Sequence, residues 1–140
     1  GNNFISFGLL NNVVTDTHFA QRNRQPRLVS FMASAMYNYG VTWQAMRGIA
    51  ADEATAYALD ANGSGKVFGT NNVHFVSATA APERLLSGQT LNWNNGGQAI
   101  KVYQVGGTAT GTNTFNINTW SGTGGSVHYW PVVNGVMTIN

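Results

Sequence analysis

Residues 25–40, QPRLVSFMASAMYNYG, stand between two short β-rich runs, Asn12-Val13-Val14-Thr15-Asp16 and Gly48-Ile49-Ala50-Ala51. Leu28, Phe31, Met32, Ala35, Met36 and Tyr39 recur at i, i+3, i+4, i+7, i+8 and i+11, which is one face of a helix. Pro26 falls in the first turn, where its missing N–H leaves nothing unsatisfied, and Gly40 ends the run. Strand, helix, strand is the pattern of a crossover between neighbouring parallel strands. The expected class is therefore α/β.

Outward from this unit the periodicity changes. Thr55, Tyr57 and Leu59 alternate up to the turn-forming stretch Asp60-Ala61-Asn62-Gly63-Ser64-Gly65, and Val67, Phe68, Val73 and Phe75 lead back, which reads as a hairpin. Asn62-Gly63-Ser64 also matches a glycosylation acceptor, but a turn is the simpler reading. From Leu91 onward, apolar positions such as Ile100, Val102, Phe115, Ile117, Val132 and Val136 are separated by Gly-Gly, Asn-Gly and Thr-Gly pairs, the mark of turns between antiparallel strands. No internal repeat is evident. The division expected is an α/β part over 1–90 and a β-rich C-terminal extension over 91–140 packed on it.

The 140 residues suit a single domain of ordinary size. Charged residues make up only 9% of the chain, against roughly 25% in an average globular protein. A net charge of +2 with a pI near 9.2 reflects few titrating groups rather than many basic ones, so a general nucleic-acid binder is not expected. No run approaches the ~18 apolar residues of a membrane helix. The absence of Cys removes disulfides, thiolate catalysis and cysteine-ligated metal. No His/Asp/Glu spacing suits a metal site, and no cofactor is expected.

All charged residues except Lys101 lie between Asp16 and Arg84. Arg22, Arg24 and Arg27 crowd the start of the helix, where cations oppose the macrodipole and repel one another. An anion would resolve that conflict, since helix N–H groups and guanidinium forks together make a carboxylate or phosphate site. The plainer alternative is surface arginines with one paired to Asp16. Asp16-Thr17-His18 falls where the first strand ends, the edge at which open α/β sheets place ligands. A histidine there can serve as a base near neutral pH. His74 and His128 lie in strand-like stretches and read as ordinary polar residues.

The stretch Asp16-Thr17-His18-Phe19-Ala20-Gln21-Arg22-Asn23-Arg24-Gln25-Pro26-Arg27-Leu28 resembles the D-x-H-F-x-x-R-x-R-x-x-R-L signature of cyanophycinases and the related aspartyl-dipeptidase-like serine peptidases. Asp52-Glu53-Ala54-Thr55-Ala56 is similar to that family's D-E-x-T-A segment. The likeness covers about Gly8 to Val76, and the tail around Thr114–Trp120 resembles more loosely the β tail of secreted cyanophycinases. Thr17 stands where many members have Gln, and Gln25-Pro26 where Leu-Gly is frequent. The resemblance implies a class I glutamine amidotransferase-like sheet and a Ser-His-Glu triad in which His18 is the base and Glu53 the acid. It also implies Asp16, Thr17, Arg22, Arg24 and Arg27 as substrate-binding residues, and a secreted or periplasmic bacterial protein.

The family's nucleophile is a Ser on a G-x-S-A-G turn upstream of the histidine, and no serine here fits that pattern. Ser6 is too close to the first strand, Ser30 and Ser34 fall in the helix, Ser64 in a turn and Ser126 in the β tail. The expectation is a C-terminal subunit or fragment, starting at Gly1, whose Ser belongs to an N-terminal half of the same precursor and which is inactive alone. The apolar start, Phe4-Ile5-Phe7-Leu9-Leu10, suits a surface covered by that half, in a two-chain unit with room to form homo-oligomers.

The substrate implied is cyanophycin, cut to β-aspartyl-arginine dipeptides by acyl transfer. Two alternatives stand beside this reading. One is a dipeptidase of the same family acting on aspartyl peptides. The other is a non-catalytic β-rich binding or structural protein, in which Trp93, Trp120, Tyr129 and Trp130 either stack on sugars or form core.

Overall fold

The computed structural model describes residues 4–5, 12–17 and 24–139. Its first elements are β1 (Phe4–Ile5), β2 (Val13–Thr17), α1 (Gln25–Tyr39) and β3 (Arg47–Ala51). β2 and β3 run parallel in the register Val13↔Arg47 through Thr17↔Ala51, with α1 as the crossover. Pro26 lies in the first turn of α1, and Gly40 closes it at φ 68°, a left-handed cap that costs an L side chain about 1 kcal/mol.

The buried face of α1 is Leu28, Val29, Met32, Ala33 and Ala35. Phe31 and Met36 sit at its margin, whereas Tyr39, the last position of the apolar period, is exposed. The bare backbone of Gly48 lets the helix lie close to the sheet. A Cβ on Gly48 would stand 3.2 Å from Met32 Sδ and 3.4 Å from Leu28 Cδ1. Full burial of Leu28 and Met32 contributes about 1.5–3 kcal/mol each.

The remaining strands are β4 (Thr55–Leu59), β5 (Ser64–Gly69), β6 (Asn72–Ala78), β7 (Ile100–Gly106), β8 (Thr114–Asn116), β9 (Ser121–Gly122), β10 (Gly125–Tyr129), β11 (Val132–Val133) and β12 (Val136–Met137). They complete a six-stranded sheet in the order β1-β2-β3-β6-β7-β10, a four-stranded sheet β4-β5-β8-β9 and the small pair β11-β12. Apart from β2–β3, the paired strands are antiparallel. The class is thus mixed α/β, rich in antiparallel sheet. Residues beyond 90 supply β7 and β10 to the large sheet and β8 and β9 to the smaller one.

The central strands of the large sheet are buried on both faces. Toward α1 it packs Val14, Ala50, Val76 and Val102 together with Trp93, Ile100, Trp130 and Val132. Toward the four-stranded sheet it packs Val13, Ile49, Val73, Phe75 and Val105 against Val67 and Phe115. Phe75 and Phe115 stack with ring centroids 3.7 Å apart and 11° between planes. The Tyr57 hydroxyl donates to the Phe115 carbonyl at 2.6 Å, tying β4 to β8, and burial pushes its ionisation up to about 12. At the hairpin turn the Asn62 side chain accepts from the Ser64 N–H at 3.0 Å, and Gly63 takes φ 89°. Among the described residues no helix is long and apolar enough to cross a membrane.

Candidate functional site

The parallel pairing of β2 and β3 brings two of the singled-out segments to one edge. Asp16 lies opposite Ala50 and Thr17 opposite Ala51, so the chain leaves β2 beside the point where Asp52 and Glu53 leave β3. A cleft of about 510 Å³ opens there, lined among the described residues by Thr17, Asp52, Glu53, Thr55 and Phe68. His18 and Arg22 lie outside the described residues, as do Ser6 and most of the apolar start.

Asp16 is buried, its side chain 1% exposed, and gathers the charges around it. One oxygen accepts from the Thr17 N–H at 2.8 Å and from Arg24 Nη1 at 3.3 Å. Arg27 forks onto the carboxylate, Nε donating to Oδ2 at 3.1 Å and Nη2 to Oδ1. Arg24 also donates to the Thr17 carbonyl at 2.9 Å. Thus Asp16 is an anion that answers the cation crowding at the start of α1, delivered from the neighbouring strand. Two guanidiniums on one carboxylate still leave positive charge at this edge, and Arg27 is 39% exposed in its side chain. That residual charge suits an acidic group arriving from solvent.

The segment after β3 is a tight turn. Ala54 takes φ 56°, a conformation uncommon outside glycine. The Asn71 amide donates to the Glu53 carbonyl at 2.8 Å, and the Thr55 hydroxyl accepts from the Asn71 N–H at 2.9 Å. Thr55 therefore fastens the turn, which is a physical reason for Thr two residues after Glu53. The fastened backbone holds the Glu53 side chain out at the edge, where the residue is exposed.

Asp52 turns the other way and forms an acid–imidazole pair that sequence reading missed. His74 Nε2 lies 3.0 Å from Asp52 Oδ1, with the two side chains only 6% and 2% exposed. Asp52 Oδ2 accepts from the Asn72 N–H at 3.1 Å. His74 stands in an otherwise apolar run, Val73-His74-Phe75-Val76, which is a local signal of a buried polar residue. Its partner was hidden because the pair depends on the antiparallel register Ala50↔His74.

Ser30 and Ser34 fall within α1, and Ser64 begins β5. Ser126 on β10 lies 3.0 Å from His128 Nε2, on an exposed surface. None of these serines stands at a strand-to-helix turn. Of the four aromatics weighed as a sugar surface, Trp93 and Trp130 are core, whereas Trp120 and Tyr129 are half-buried. No group of three or more His, Asp or Glu side chains among the described residues is placed to hold a metal ion. No protein-family model matches the chain.

Proposed function

We propose that this chain is the C-terminal part of a cyanophycinase-like serine peptidase, with a class I glutamine amidotransferase-like sheet completed by a segment that carries the nucleophilic serine. The observation that carries the reading is the Thr17↔Ala51 end of the parallel pair. Neighbouring strands lie about 4.8 Å apart, so the end of β2 at Thr17 stands within side-chain reach of the segment that carries Asp52 and Glu53. In this reading His18 takes the proton of the incoming serine and Glu53 orients the imidazole. The positive edge made by Arg24 and Arg27 receives the aspartyl carboxylates of cyanophycin, with Arg22 assigned to the same edge. Asp52 and His74 act as positioning residues that anchor the backbone from which Glu53 projects.

The test is to produce the chain together with the polypeptide encoded ahead of it and to assay release of β-aspartyl-arginine from cyanophycin. His18→Ala and Glu53→Gln should each lower kcat by about a hundredfold or more, with folding checked by circular dichroism. Full activity in both variants would overturn the triad. Activity on aspartyl dipeptides without activity on cyanophycin would move the protein to the dipeptidase branch.

A further inference from the structure

A second pocket lies on the face of the six-stranded sheet opposite α1, between β6, β7 and β10 and the β8–β9 hairpin. Its volume is about 180 Å³. Phe75, Tyr103 and Trp120 form its aromatic walls, Ser77 and Ser121 add hydroxyls, Val127 forms an apolar lip and Lys101 is its one charged lining group. The proposed peptidase reading makes no use of it.

The walls are held before any ligand arrives. Trp120 adopts φ 51°, a genuine outlier for so bulky a residue and the kind of backbone strain that collects at ligand clamps. Its ring meets those of Phe75 and Phe115 edge-on at 6.1 and 5.0 Å. The Arg47 guanidinium lies over it at 5.3 Å. The Tyr103 hydroxyl accepts from the Gly125 N–H at 3.0 Å, which fixes the second wall. Rings fixed in this way spare a ligand the cost of ordering them.

The charge around the pocket has one sign. Across three strands Arg47, Ser77 and Lys101 stand in register. Arg47 spends its donors on the carbonyls of Gln44 and Met46 at 2.8 and 3.0 Å, so its charge is not neutralised by them. Burial pulls its ionisation below the usual arginine value. Neither Arg47 nor Lys101 has an ion pair among the described residues. Among the described residues no Asp, Glu, Asn or Gln lines the pocket, so the paired polar groups that grip sugar hydroxyls and the anions that would attract a cation are not among its described lining.

We propose that this pocket binds a small aromatic carboxylate, its ring against Trp120 and Tyr103 and its carboxylate on Lys101. The size agrees, since a cavity of about 150 Å³ accommodates benzene and the remainder admits one acidic substituent. The ring covers Val127, and the carboxylate supplies the negative charge that the row Arg47-Ser77-Lys101 lacks.

The test uses phenylacetate as the probe, titrated into the isotope-labelled 140-residue chain, with benzyl alcohol, benzylamine and methyl glucoside as comparisons. Phenylacetate should saturate one site and shift the amide signals of Tyr103, Trp120 and Ser121. Benzyl alcohol should bind about tenfold to a hundredfold more weakly, the loss of one charge-assisted contact. Lys101→Gln, at an exposed position, should impose the same loss on phenylacetate while leaving the rest of the spectrum unchanged. Lys101→Glu should invert the preference toward benzylamine. Absence of saturable phenylacetate binding, equal affinity for benzyl alcohol, preference for the glucoside, or indifference to Lys101→Glu would each overturn the proposal. None of these outcomes bears on cyanophycin hydrolysis.

Discussion

Asp16 shows how one buried side chain settles a conflict that the local sequence creates. Arginines at 24 and 27 oppose the dipole of α1, and the first turn of the helix contains no acid. The carboxylate that compensates them comes from the adjacent strand, accepts from both guanidiniums and is itself shielded from water. Removing one partner of a buried ion pair costs ~3–5 kcal/mol, and the partial exposure of both arginines places this case at the low end. Asp16→Ala should therefore lower stability by about 3 kcal/mol, read as a lower urea midpoint with an unchanged slope. A loss below ~1 kcal/mol would mean that the pair behaves like an ordinary surface salt bridge.

At the scale of the element, the short 3-10 turn over Asn95–Gly97 ahead of β7 depends on Glu83. Its carboxylate accepts from the N–H groups of Asn94 and Asn95, both at 2.8 Å. Those two backbone donors hold its ionisation below the usual glutamate range. A depressed folded-state value means that the stabilisation is fully present above the unfolded glutamate value of 4.5 and is lost as pH falls through the lower folded-state value. Glu83→Gln should thus lower the melting temperature at pH 7 and have progressively less effect below about pH 4.5. Thermal melts of the two proteins across pH 3–7 check this, and a constant gap between them would contradict it.

For the whole molecule, the six-stranded sheet is the shared wall of two apolar layers, one under α1 and one under the smaller sheet. Strands from residues beyond 90 lie in both sheets, so neither layer is complete without them. Met32→Ala on one side and Phe75→Ala on the other should each shift the same cooperative transition, by about 2–5 and 3–5 kcal/mol. Near-ultraviolet and far-ultraviolet circular dichroism should report coincident midpoints in both variants. Two separated transitions would show that the layers unfold independently.

The β2–α1–β3 unit and the β4–β5 hairpin were legible in the sequence because they rest on local chemistry, whereas Val73 and Phe75, expected to return in that hairpin, belong to β6 of the large sheet. A 3.6-residue apolar period, Pro26 at the start, Gly40 at the end and the Asn62-Gly63-Ser64 turn act over a few residues and need no distant partner. The meeting of the Asp16 and Glu53 segments at one edge followed equally from a crossover between parallel neighbours. The Asp52–His74 pair, the capture of two arginines by Asp16, the division of the tail between two sheets and the Trp120 pocket were decided only by tertiary structure. A pairing of Asp16 with one arginine was already among the sequence readings, and the second arginine on it is set by how the start of α1 packs on β2. The others depend on how the strands pair, which is chosen by the sum of many burials across the sheet rather than by the residues that it happens to bring together.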